Sequence, residues 1–110
     1  MAYDFTTTDG RNGESMDSDG ITCALDYKVH EQLFVALDRV TEQFPNLDRF
    51  RDHYKDGFVG HESLELLISE IELASSKFPL DSPFKPFFET FHSLCCIAWA
   101  RDASISAYCD

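Results

Sequence analysis

Positive charge is scarce in this sequence. Nine lysines and arginines stand against 20 aspartates and glutamates, which gives a formal net charge of −11. A surface with this balance repels the phosphates of nucleic acids and anionic lipid headgroups, so we expect neither a nucleic acid nor a membrane as a direct ligand. The same surface would attract a basic protein.

Long apolar runs are also missing. The longest, LCCIAWA at residues 94–100, has seven residues, whereas a membrane-spanning helix needs about 20. The first ten residues, MAYDFTTTDG, contain neither the basic segment nor the apolar run of a secretion signal. We therefore predict a cytoplasmic protein, and in that reducing compartment the four cysteines are expected to be free thiols.

The acidic stretch ESMDSDGITCALD resembles part of a calcium-binding loop. Asp17, Asp19 and Gly20 fall at positions that such a loop gives to two carboxylates and a turn glycine. The bidentate glutamate is missing, because Asp26 holds its position, and the glycines and threonines before the stretch oppose an entering helix. We predict a flexible acidic loop near residues 9–20, in which glycine and aspartate form a turn and bind no metal.

Histidine and cysteine occur in two patterns that suggest chemistry. HESLE, residues 61–65, has a glutamate where the zinc-protease helix motif needs its second histidine, so no metal is predicted there. Phosphate-loop, dinucleotide and serine hydrolase motifs are absent, and no cofactor is predicted. His92 precedes Cys95 and Cys96 at spacings that share a helix face, which leaves a small Cys–His enzyme open as an alternative, acting through Cys96. Because both cysteines lie in the apolar run LCCIAWA, we predict packed thiols and no enzyme.

Hydrophobic periodicity predicts a mostly helical, α+β fold. About four helices are expected, over residues 26–44, 47–56, 61–77 and 82–102. Alternating apolar and polar residues predict strands near both ends of the chain, around Tyr3 and Phe5 and in the final SISAYCD. The alternation of Ile21, Cys23 and Leu25 makes a further strand plausible there. We expect the strands at the two chain ends to form a small antiparallel sheet beside the helices, all around one core in a single domain of residues 1–110.

The third predicted helix carries the most distinctive charge pattern. Between Lys55 and Lys77 there is no lysine or arginine. The same interval holds five acidic residues: Asp56, Glu62, Glu65, Glu70 and Glu72. On a helical period, one outward stripe is expected to contain Glu62, Glu65, Ser69, Glu72 and Ser76. This stripe is either a solvated face that keeps the protein in solution or a docking surface for a basic partner.

In general character the chain resembles the immunity proteins of bacterial contact-dependent inhibition and related polymorphic toxin systems. The resemblance lies in a short, acidic domain that has no catalytic motif, ends in a predicted strand and carries an acidic helix. It implies a stoichiometric inhibitor that binds one cognate toxin, frequently a basic nuclease, and blocks its active site or substrate entry. The charge pattern, and no family motif, then predicts the contact residues: Glu62, Glu65, Glu70, Glu72 and Asp56, with Phe58 or His61 as a buried anchor.

Two other functions remain as alternatives. A nucleic-acid mimic would use the same acidic surface to occupy a DNA- or RNA-binding protein, and it would bind unrelated nucleic-acid enzymes instead of one toxin. A small Cys–His enzyme would alkylate rapidly at Cys96 under native conditions and lose its activity.

Overall fold

The computed structural model describes residues 2–8, 23–37, 40–52 and 55–109. The acidic loop predicted near residues 9–20 lies outside these ranges. Within them, four strands form one antiparallel sheet in the order β2–β1–β4–β3. The strands are β1 (Ala2–Thr8), β2 (Cys23–Asp26), β3 (Gly57–Val59) and β4 (Ser104–Cys109). The predicted strands at the two ends of the chain therefore pair with each other at the centre of a larger sheet.

Three α-helices longer than a single turn lie in the described part of the chain. They are α1 (Tyr27–Ala36), α2 (Leu64–Ser76) and α3 (Lys85–Ala100). Asp26 caps α1, since its carboxylate accepts a hydrogen bond from the backbone N–H of Lys28 at 2.9 Å. Helices α1 and α3 pack on the sheet, and α2 packs against α3.

The predicted arrangement of four helices beside a sheet of end strands is wrong in three respects. The first helix, expected over residues 26–44, ends at Ala36, and a separate helix of a single turn spans Val40–Gln43. The expected helix over residues 47–56 is a 3₁₀ helix of four residues, Leu47–Phe50. Its period of three places Leu47 and Phe50 on the same side, where both are buried, and the chain then extends into β3. The sheet also has four strands in the described residues. One edge strand, β2, lies where the alternation of Cys23 and Leu25 made a strand plausible, and the other, β3, was not predicted.

Aromatic rings fill the core between the sheet and the helices. Phe5 of β1 contacts Phe91 of α3 with ring centroids 4.7 Å apart, and Phe50 with centroids 5.3 Å apart. Phe87 lies 5.5 Å from the same Phe5 ring. These separations lie within the range in which aromatic pairs attract each other beyond the gain from burial.

Strand β3 passes close to the segment that precedes it. A Cβ atom added to Gly57 would lie 2.6 Å from Cδ1 of Phe50 and 2.9 Å from both the Arg49 carbonyl oxygen and the Tyr3 hydroxyl. That hydroxyl donates a hydrogen bond to the carbonyl oxygen of Lys55 at 2.8 Å. Only glycine fits at position 57 without displacing its neighbours.

Candidate functional site

The exposed side of α2, together with the turn before it, forms an acidic face. We define the acidic face by its seven exposed residues: Glu62, Glu65, Leu66, Ser69, Glu72, Leu73 and Ser76. The opposite side of the helix is buried and contains Leu64, Leu67, Ile71 and Ala74. This apolar spacing of three and four residues explains why α2 forms and which side it turns to solvent.

Two leucines lie among the carboxylates of the acidic face. Leu66 is 62% exposed and Leu73 is 53% exposed. They are seven residues apart, so they lie on the same side of the helix about two turns from each other. The sequence pattern predicted that the apolar side of this helix lies in the core but did not identify these two exposed leucines, although their positions are out of step with the buried residues. Charge and exposed apolar area together are typical of a protein-binding surface.

Glu70 was predicted to be a contact residue of the acidic helix. In the structure its side chain is buried, so it does not belong to the acidic face. One carboxylate oxygen accepts hydrogen bonds from the backbone N–H groups of Asn46 at 2.9 Å and Leu47 at 3.1 Å. The other accepts from Nδ2 of Asn46 at 2.8 Å. The carboxylate therefore satisfies the donors at the start of the 3₁₀ helix Leu47–Phe50 and ties that segment to α2.

Asp56 and Phe58, also predicted as contact residues, are exposed but belong to the sheet side of the molecule. Asp56 precedes β3, and Phe58 is 49% exposed in the middle of that strand. Its neighbours Gly57 and Val59 are buried, so Phe58 points to the sheet face opposite the core. The structure therefore separates Phe58 from the acidic face.

His61, predicted as a buried anchor, is half-buried and engaged within the protein. Its ring stacks on Trp99, with ring centroids 4.8 Å apart and an interplanar angle of 9°. Nδ1 lies 3.0 Å from the carbonyl oxygen of Ala103, and Nε2 lies 3.1 Å from Oδ1 of Asp102. His61 thus links the start of α2 to the turn after α3. Trp99, which sequence analysis did not select, is 46% exposed beside it.

Glu72, His92 and Cys96 form a line of polar contacts between α2 and α3. Nε2 of His92 lies 3.0 Å from Oε1 of Glu72, and its Nδ1 lies 3.8 Å from Sγ of Cys96. Carboxylate, imidazole and thiol in this order resemble the arrangement of a cysteine nucleophile. The pKa of the Cys96 thiol is nevertheless raised, first by partial burial and second by the negative charge of Glu72. A raised pKa keeps the thiol protonated, which is the reverse of activation.

Replacing Glu72 with glutamine should make Cys96 alkylate faster. The substitution removes a negative charge that raises the thiol pKa, so more of the reactive thiolate is present at a given pH. The rate of iodoacetamide labelling at pH 8 under native conditions, followed by mass spectrometry, measures the effect. Glu65→Gln serves as a matched control that should leave the rate unchanged.

The buried cysteines provide an internal reference for that measurement. Burial raises the pKa of Cys23 to about 12 and that of Cys95 well above its ordinary value. Both should react only after unfolding, whereas Cys96 is exposed. An unchanged or slower rate at Cys96 in Glu72→Gln would contradict the assigned cause of its raised pKa.

A groove of about 550 Å³ lies next to this line of contacts, between α2 and α3. The buried side chains of Ile71 and Phe88 line its base. Its other lining residues are polar or charged: Glu72, Ser75, Ser76, Lys85, Glu89, His92 and Ser93. The groove continues the acidic face, because Glu72 and Ser76 belong to both.

Comparisons with known proteins identify no relative. No family model matches the chain, and no curated protein or solved structure matches it significantly. Across the described ranges, no helix is long and apolar enough to cross a membrane. In the same ranges, no three histidine, cysteine, aspartate or glutamate side chains meet in a group that could hold a metal ion. Function must therefore be inferred from the geometry of the acidic face and the groove.

Proposed function

We propose that the chain is an acidic protein-binding module that inhibits a basic partner stoichiometrically. The acidic face carries this proposal, because exposed carboxylates there flank the exposed leucines Leu66 and Leu73. The sequence has no lysine or arginine between Lys55 and Lys77, the interval that contains this face. The two leucines add apolar area beside the carboxylates that a partner would cover.

Charge and apolar area contribute to such an interface in different ways. Exposed ion pairs contribute about 1 kcal/mol or less each, but they steer a basic partner toward the face and set how strongly salt weakens association. Covering the exposed part of each leucine contributes on the order of 1 kcal/mol. The carboxylates therefore select the partner, and Leu66 and Leu73 slow its dissociation.

A nuclease has the surface chemistry that this face would recognise. A protein surface that binds nucleic acid phosphates is basic, and carboxylates presented to that surface would occupy it and block substrate entry. The resemblance to immunity proteins implies the same mode of inhibition. We further propose a cytoplasmic location, where a nuclease meets its substrate and where the free thiols of Cys23, Cys95 and Cys96 would persist.

Reversing two charges on the acidic face should release the partner. In affinity purification from the lysate of the source cell at low salt, we expect one basic protein in equal proportion to the bait, with retention that falls at high salt. Glu62→Lys combined with Glu65→Lys should weaken binding about tenfold or more, since attraction becomes repulsion at two positions. The affinity for the purified partner, measured by calorimetry, gives the size of the loss.

The control for this experiment changes net charge equally at another place. Glu42 and Asp81 are exposed and lie outside the acidic face, so Glu42→Lys with Asp81→Lys should reduce affinity much less. Equal losses in both double variants would mean that net charge alone drives binding, and the proposed face would be wrong. If several unrelated nucleic-acid enzymes are retained, the protein is a nucleic-acid mimic and not an inhibitor of one partner.

A further inference from the structure

The groove between α2 and α3 has one carboxylate on each side. Glu72 comes from α2 and is held by His92, as described above. Glu89 comes from α3, is exposed, and forms no side-chain hydrogen bond or ion pair with the described residues. Between the two carboxylates lies the apolar base formed by Ile71 and Phe88.

The C-terminal end of α2 also lies at the groove, which Ser75 and Ser76 line. The last carbonyl groups of a helix carry partial negative charge and favour cations. The ammonium of Lys85 already binds there, donating hydrogen bonds to the carbonyl oxygen and the hydroxyl of Ser75. The hydroxyls of Ser76 and Ser93 donate within their own helices, to the carbonyl oxygens of Leu73 and Glu89, so their lone pairs remain as acceptors.

We propose that this groove binds an arginine side chain of the basic partner. A guanidinium group is planar and has five donors, so it can engage carboxylates on two sides while its methylene stem packs on Ile71 and Phe88. A lysine ammonium is a compact charge and cannot match acceptors on both walls in the same way. The volume of about 550 Å³ lies within the range of about 300–1,000 Å³ that is usual for small ligands.

The two basic residues that line the groove have partners other than Glu89. Lys85 is bound at Ser75, and His92 faces Glu72 and Cys96, so neither pairs with the carboxylate of Glu89. The inference rests on the proposed function, because the arginine belongs to the partner that the acidic face attracts. An arginine bound in the groove would add a specific short-range contact to the long-range attraction between the acidic face and the basic partner.

A short blocked peptide of three arginines tests the groove without the partner. Added to the full chain, it should shift the NMR signals of Phe88 and Ser93, whereas a citrulline peptide of the same length, which has the same shape without the charge, should not. Glu89→Gln should weaken the peptide about fivefold or more, because it removes the unpaired carboxylate. Glu65→Gln removes an equal charge outside the groove and should change binding less than twofold.

Four results would overturn this inference, the first being that the arginine peptide does not bind. Equal binding of the citrulline peptide would show that charge is not recognised, and equal binding of a three-lysine peptide or spermidine would assign the groove to cations in general. An unchanged affinity in Glu89→Gln would place the peptide elsewhere. If the peptide fails while Glu62→Lys with Glu65→Lys still releases the partner, only the groove assignment falls. If the peptide binds as expected while that double variant keeps the partner, the groove still binds arginine, but the acidic face does not hold the partner and the proposed function falls.

Discussion

Replacing Glu70 with alanine should lower the free energy of unfolding by about 3–4 kcal/mol. The substitution removes the acceptor of three hydrogen bonds from Asn46 and Leu47 in a buried setting. Each buried donor left without a partner costs about 1–3 kcal/mol, and entering water recovers part of that loss. Urea denaturation followed by circular dichroism measures the change.

Two variants show whether this loss belongs to the buried carboxylate. Glu70→Gln keeps one acceptor oxygen and should cost roughly half as much as alanine. Glu65→Ala removes an exposed carboxylate from the same helix and should change stability by about 0.5 kcal/mol or less. Similar losses in Glu70→Ala and Glu65→Ala would mean that Glu70 does not hold the 3₁₀ helix to α2.

Replacing Gly57 with alanine should destabilise the fold by about 2–3 kcal/mol. The new methyl group would lie 2.6 Å from Phe50 and 2.9 Å from the Tyr3 hydroxyl, and both neighbours are fully buried. Relief would require moving a packed ring or breaking the hydrogen bond from Tyr3 to Lys55. Thermal and urea unfolding of the variant give the size of the effect.

Gly60→Ala is the matched control, three residues along the chain. There the nearest atoms to an added Cβ belong to the carboxylate of Glu62, an exposed side chain that can rotate away. The backbone of Gly60, with φ −70° and ψ 160°, is one that alanine adopts readily. Alanine there should be close to neutral, or stabilising by up to about 1 kcal/mol. Equal destabilisation at both glycines would contradict the close packing assigned to Gly57.

The longer helices were predictable because many apolar residues repeat along them. Helix α2 was expected over residues 61–77 and spans Leu64–Ser76, and α3 was expected over 82–102 and spans Lys85–Ala100. Strand β3 was missed because three residues are too few to show alternation. Its position depends on pairing with β4, a contact between segments almost 50 residues apart in the sequence.

Helical periodicity predicted which residues of the candidate site are exposed, but not the contacts that they make. That period placed Glu62, Glu65 and Glu72 on the exposed side of the helix, and the structure has them there. The same period places Glu70 toward the buried side of the helix, because Glu70 follows the buried Leu67 by three positions. The partner of that carboxylate, Asn46, is 24 residues away and could not be inferred from local pattern.

The groove lay beyond sequence analysis for a related reason. Its two walls come from different helices, and the register that places Glu72 beside His92 is set by how α2 packs on α3. Lys85 contributes to that register by binding Ser75 across the connection between the helices. The relative position of the two helices depends on how their side chains pack together, and this packing cannot be predicted from a single sequence.

The position of β4 in the sheet also determines when the chain can acquire its native structure. In the described sheet, β3 pairs with β4 alone, and β1 meets β4 through residues about 100 positions apart. Closing a loop of that length lowers the entropy of the chain before the new contacts stabilise it. Chains with such long-range strand pairing fold slowly, on the order of milliseconds to seconds. During synthesis, β1 and β2 can associate early, but β3 has no strand to join until β4 emerges. Until then the edge of β1 stays open to pairing with other chains, so β4 closes an edge at which the chain could otherwise aggregate.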